Sequence, residues 1–107
     1  MTDFNDRRRA EETKAAMDEE TAFRVMARRN KLVGIWAAAR MNLSEAETEA
    51  YAKAVVQADF EEAGDEDVLR KLLGDMTSAG IEIDAAQVRA AMDEQLIEAR
   101  RQLMGEA

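Results

Sequence analysis

The 107-residue chain has no cysteine, no histidine and no proline, and only five glycines and five aromatic side chains. Without cysteine it forms no disulfide, no thiolate metal site and no cysteine nucleophile. Without histidine it lacks the commonest general base and the commonest metal ligand. No apolar run approaches the length of a membrane span. The stretch from Met1 to Arg9 lacks the apolar core of a secretory signal. A soluble, cytoplasmic protein with no membrane insertion is expected.

With few helix breakers, what remains is helical in character. Ala, Glu, Lys, Leu and Arg supply just over half of the residues, and these side chains lose little rotamer freedom in an α-helix. The length suits one domain with a modest core. The formal net charge is −8, unevenly spread. Residues 1–31 carry eight bases against seven acids, whereas residues 32–107 are strongly acidic. Such a body repels nucleic acid and anionic lipid. From Thr21 to Ser44, however, five bases stand with no acid.

Four helices follow from the pattern. The first runs from about Asp3 to Arg40. Phe23, Met26, Ala27, Val33, Trp36 and Ala37 give its second half an apolar stripe. Between Asn5 and Glu20 the only apolar residues are Ala10, Ala15, Ala16 and Met17. A segment of that kind is marginally helical alone, so residues 1–20 are expected to be frayed when free and helical when docked. Ser44 opens the second helix, with Glu47 completing a capping box, Tyr51, Ala52, Val55, Val56 and Phe60 facing inward, and Gly64 ending it. Asp65 caps the third helix, whose inner face is Val68, Leu69, Leu72, Leu73 and Met76, and Gly80 closes it. Ile81 and Ile83 should plug the end of the bundle. Asp84 and Gln87 cap the fourth helix, which buries Val88, Ala91, Met92, Leu96, Ala99 and Leu103. Short connections favour antiparallel neighbours. The expected fold is all-α, an antiparallel four-helix bundle over residues 21–107 with a longer, partly frayed N-terminal helix.

Chemical motifs are scarce. Residues 59–70 place Gly64 where a calcium-binding loop needs glycine, but Arg70 stands where a bidentate Glu is required. No glycine-rich phosphate loop exists. Paired carboxylates such as Glu61 and Glu62 read as a solvated acidic face. Neither an enzyme nor a metal site is expected, and no cofactor is required. The basic cluster is more informative. Arg24, Arg28 and Lys31 share one helix face, with Arg29 beside them and Trp36 one turn on. Like charges so placed need an anion nearby. Glu61, Glu62 and Asp65 to Asp67 are the simple answer, and a phosphate-bearing ligand is the other. Trp36 and the seven methionines read first as core.

Three stretches are similar to one family. Residues 27–38 read ARRNKLVGIWAA, residues 49–68 read EAYAKAVVQADFEEAGDEDV, and Met92-Asp93-Glu94 lies in the last helix. Together they resemble the zeta subunit, a small regulator of the F-type ATP synthase of alphaproteobacteria. The resemblance implies a four-helix bundle that inhibits ATP hydrolysis by the catalytic head. Its N-terminal segment would wedge at an α/β interface against the rotor. Carried over by position, that segment keeps Phe4, Asp6, Arg7, Ala10, Glu12, Lys14, Asp18 and Glu19. It departs at Asn5 and Arg8, where the family usually has acids, and at Glu11 and Ala15, where it has large apolar anchors. Each lost anchor removes roughly 1.5–3 kcal/mol of apolar burial, so weak inhibition, or inhibition restricted to the cognate enzyme, is expected. The resemblance also implies weak ADP or ATP binding to the bundle, for which Arg24, Arg28, Arg29, Lys31 and Trp36 are the candidates. It further implies a monomer when free, peripheral to the inner membrane when bound to the synthase. A nucleotide-sensing bundle, or a scaffold without synthase contact, is the alternative.

Overall fold

A computed structural model describes the backbone of residues 3–59 and 65–105, and within that range the side chains from residue 19 on. Phe60, Glu61, Glu62 and Gly64 lie outside the described residues. Four helices form, α1 (Asp3–Arg40), α2 (Glu45–Ala58), α3 (Glu66–Ser78) and α4 (Ala85–Met104), with no strand among the described residues. At 1.5 Å per residue α1 is about 57 Å long, and it is the spine against which both α2 and α4 pack. The elements and their order match the sequence reading of an all-α bundle.

The helix ends show why the chain breaks where it does. Ser44 and Asp84 each accept from the backbone N–H three residues on, and Glu47 and Gln87 reach back to the cap N–H, so both capping boxes are complete. Two helices close alike. In α3 the Ile81 N–H donates to the Met76 carbonyl at 2.9 Å and the Gly80 N–H to Thr77 at 3.0 Å, with Gly80 at φ 83°. In α1 Leu43 donates to Ala38 at 3.0 Å and Asn42 to Ala39 at 3.2 Å, with Asn42 at φ 62°. Both are Schellman closures, in which a left-handed residue lets the orphan carbonyls be satisfied. Asn42 is a non-glycine that tolerates this region.

The core joins Val33 and Ala37 of α1, Val55 of α2, Val68, Leu69, Leu72 and Met76 of α3, and Val88, Ala91 and Met92 of α4. Ile81 and Ile83 pack against it, as expected, with Trp36, Met41, Tyr51 and Leu73. At Gly34 the α1 and α2 backbones come so close that a Cβ there would lie 2.9 Å from the Ala52 Cα.

Three expectations need correction. Phe23 is 55% exposed and Leu103 39% exposed. Both line an open groove at the end of the bundle where α2 runs out. Asp65 makes no side-chain cap on α3, because its carboxylate is taken by Arg29. The buried stripe of α1 is also rotated from the sequence reading. Val25, Arg29, Asn30, Val33, Ala37 and Ala38 are buried, while Met26, Ala27 and Trp36 are half-buried.

Candidate functional site

The basic run of α1 divides between two environments. Arg24, Arg28 and Lys31 recur at helical spacing on one face, and with Phe23 and Ala27 they line one wall of a groove of about 350 Å³. Val56 of α2 and Leu103 of α4 complete it. Arg24 Nη2 donates to Glu20 Oε1 at 2.8 Å, one turn earlier. That pair is exposed and holds its partners weakly. Arg28 Nη1 donates to Gln102 Oε1 at 2.9 Å, tying α1 to α4. Lys31 is exposed and has no carboxylate within ion-pair distance among the described residues. The wall therefore presents three cations over an apolar floor, and a phosphate group is one anion that guanidinium forks accommodate.

Arg29 points the other way. Only 2% exposed, its Nε and Nη2 donate to Asn30 Oδ1 at 3.0 and 2.7 Å, and Nη2 also donates to Asp65 Oδ1 at 2.9 Å. This clamp fastens the start of α3 to α1. Asn30 is fully buried, and its Nδ2 finds no acceptor among the described residues. A buried cation is tolerated only when paired. Asp65 supplies the charge while its own side chain stays 45% exposed. Of the acids expected to balance the basic cluster, Asp65 does so for Arg29.

Trp36 is not in the groove. It is half-buried against the core, with the Arg40 guanidinium 5.0 Å above its ring. The five candidates thus separate into Arg24, Arg28 and Lys31 together, Arg29 inside, and Trp36 with Arg40 elsewhere. In the N-terminal segment Glu19 is exposed. The side chains of Phe4, Asp6, Arg7, Ala10, Glu12, Lys14 and Asp18 lie outside the described residues, although the helical backbone of α1 continues from Asp3.

Other polar clusters serve packing. Tyr51 Oη donates to Asp75 Oδ2 at 2.8 Å, and Lys71 Nζ donates to the same oxygen at 3.1 Å. Burial, then the Asp75 carboxylate, pushes the Tyr51 phenol well above its ordinary range. Hydrogen bonds from Arg101, then Gln102, hold Glu98 down at about 2. The backbone N–H of Ser44 lowers Glu47, and Glu66 raises Arg89. No group of acidic side chains among the described residues is placed to hold a metal ion. No helix among them is long and apolar enough to cross a membrane.

Sequence reasoning missed the inward turn of Arg29 and the burial of Asn30. The signal available was their spacing: residue 29 sits four residues from both Val25 and Val33, and residue 30 seven before Ala37.

Comparison with known proteins gives the lineage. The family described as ATPase inhibitor subunit zeta matches residues 1–102. A protein solved by solution NMR is 48% identical, with a TM-score of 0.69, over 79% of this chain and 96% of that one. Comparison with curated proteins finds no match. The chain belongs to the ATPase inhibitor subunit zeta family. It is a regulatory protein rather than an enzyme, and the F-type ATP synthase is its partner.

Proposed function

We propose that this zeta-family chain inhibits ATP hydrolysis by the catalytic head of the F-type ATP synthase through residues 1–19, docked at an α/β interface against the rotor. The observation that carries this reading is the family match, which begins at residue 1 and so takes in the leading segment. The C-terminal end of α4 lies beside Thr21, Ala22 and Val25, and Val25 is the first buried apolar residue of α1 among the described residues. The leading segment is poor in apolar residues, with only Ala10, Ala15, Ala16 and Met17 between Asn5 and Glu20.

A polar segment that orders on a partner gives up roughly 1–2 kcal/mol of backbone entropy per residue. Its affinity therefore depends on few anchors. Glu11 and Ala15 stand where the family places large apolar side chains, which favours a weak inhibitor or one fitted to its cognate enzyme. Deletion of residues 1–19 is expected to abolish inhibition of the purified synthase while the circular dichroism and melting of the bundle persist. Equal inhibition by the truncated chain would overturn the mechanism.

A second reading concerns modulation. The groove walled by Arg24, Arg28 and Lys31 has the charge and the floor for an adenine nucleotide. Arg29, committed to Asn30 and Asp65, is not offered to a ligand. Amide shifts of residues 24–31, 56 and 103 should move when ATP or ADP is titrated. Unchanged shifts at millimolar nucleotide would remove this reading.

A further inference from the structure

A hollow of about 500 Å³ runs along the outer seam between α1 and α2. Ala52, against which the α1 backbone closes at Gly34, lies in its floor with Val56 and Ile35. Ile35 stays 39% exposed beside it. The rim is charged: Glu45, Glu49 and Lys53 from α2, and Lys31 from α1. Residues 45, 49 and 53 recur every four positions and share one face of α2. All four charged side chains are exposed, and none has an ion pair or hydrogen bond among the described residues. Elsewhere on the body charges pair off, Arg70 with Asp67, Lys71 with Asp75, Arg89 with Glu66 and Arg101 with Glu98. The seam is where they are left uncommitted.

The signs on the rim are segregated. Glu45 and Glu49 stand toward the connection between the two helices, and Lys53 and Lys31 toward the other end, where Val56 lies. A phosphate or an anionic membrane calls for cations alone, so a rim of both signs suits neither. A hollow walled by two helices with an apolar floor instead fits a third helix, whose side chains enter between those of the walls. From Glu45 to Val56 the seam follows about 17 Å of α2, the length of about three helical turns.

We infer that this seam receives a helix of the synthase, with an apolar stripe toward Ile35 and Val56, an acid at the end beside Lys31 and Lys53, and a base at the end beside Glu45 and Glu49. The inference deepens the proposed function and rests on it for the second point of contact. The chain's partner is the synthase, and α1 is one helix from Asp3 to Arg40. A catalytic head that clasps the leading segment therefore lies along the same helix as the seam. The segment inhibits, and the seam adds affinity and fixes how the body sits. Exposed ion pairs contribute little affinity, so the apolar floor carries the attraction. The rim sets direction, because a helix docked the other way round would face like charges at both ends.

Surface plasmon resonance of full-length variants over the immobilised catalytic head tests this, with circular dichroism checking that each variant is folded. Ile35→Glu should raise the Kd by about tenfold, while inhibition at saturation stays complete because residues 1–19 are intact. Glu49→Lys with Lys53→Glu reverses two rim charges at constant net charge and should weaken binding by a similar factor, about tenfold. Ile97→Glu is the control, since Ile97 is 69% exposed on α4 and apart from the seam, and it should bind as the wild type does. Wild-type Kd for both seam variants, or equal weakening by Ile97→Glu, would overturn the inference. So would a concentration-dependent sedimentation coefficient of the free chain that Ile35→Glu abolishes, because a second copy would then cover the seam. Failure here is separable from failure of the proposed function. If deletion of residues 1–19 abolishes inhibition while the seam variants bind normally, the seam alone is wrong; if the truncated chain still inhibits, the mechanism is wrong whatever the seam variants do.

Discussion

Replacing glycine by alanine inside a helix ordinarily stabilises it by about 1 kcal/mol, because alanine loses less backbone entropy on folding. In this protein the same change should act with opposite signs at two sites. At Gly74, in the middle of α3, a new Cβ meets nothing within 4 Å, so the ordinary gain of about 0.8–1 kcal/mol is expected. At Gly34 the new Cβ would lie 2.9 Å from the Ala52 Cα, 3.3 Å from Val55 Cγ2 and 3.4 Å from Val55 Cβ. The first of these atoms is backbone and cannot rotate aside, so α1 and α2 must separate. Overpacking of this kind costs about 1–3 kcal/mol, and the tight backbone contact places Gly34 at the upper part of that range. After the propensity gain, Gly34→Ala should be destabilising by about 1–2 kcal/mol. For a domain of this size that is a fall in melting temperature of several degrees, at about 4–8 °C per kcal/mol. Urea unfolding followed by circular dichroism measures both variants. Ala52→Gly should not rescue Gly34→Ala, since the obstructing atom is a Cα that glycine retains. If Gly34→Ala stabilises as much as Gly74→Ala does, the close crossing is wrong.

Asp65→Ala leaves the Arg29 cation buried and uncompensated. It should cost about 3 kcal/mol in urea unfolding, far more than Asp67→Ala, whose partner Arg70 is exposed. The Tyr51 phenol is neutral in the folded chain and its pKa is raised. Its contribution is complete below its ordinary value near 10 and is lost as pH rises beyond it, so phenolate absorbance should appear together with alkaline unfolding rather than before it. Tyr51→Phe should cost about 0.5–1.5 kcal/mol at neutral pH and abolish that coupling. The Glu98 carboxyl should titrate near 2 by NMR and return toward the ordinary carboxylate range in Arg101→Ala. Its pKa is lowered, so whatever it adds to stability is present above the ordinary carboxylate range and is lost as pH falls through 2.

The helices and their caps were legible because the chain marks them locally. Ser44 with Glu47, and Asp84 with Gln87, are read from four consecutive residues, and Gly80 from one. The inner faces of α3 and α4 were nearly complete for the same reason, since their apolar positions carry apolar residues. The phase of α1 was less legible. Two of its innermost positions hold Arg29 and Asn30, which a hydropathy reading sends outward, and the stripe was drawn toward Phe23 instead. The partner that makes such burial tolerable is Asp65, thirty-six residues away, and no local pattern announces it. The same pairing explains why Asp65 does not cap α3. In the candidate site, Arg24, Arg28 and Lys31 share a wall because helical spacing alone puts them there. The floor supplied by Val56 and Leu103 depends on how three helices meet, which spacing along one of them does not encode.

The position of Trp36 has a practical consequence. The chain's sole indole sits about 24 Å along the helix from Glu20, beneath Arg40 and against the core. Its emission will therefore follow melting of the body and stay silent when the leading residues engage anything. A dye attached near residue 8 would do the reverse, so two colours on one molecule can follow docking and unfolding as separate signals.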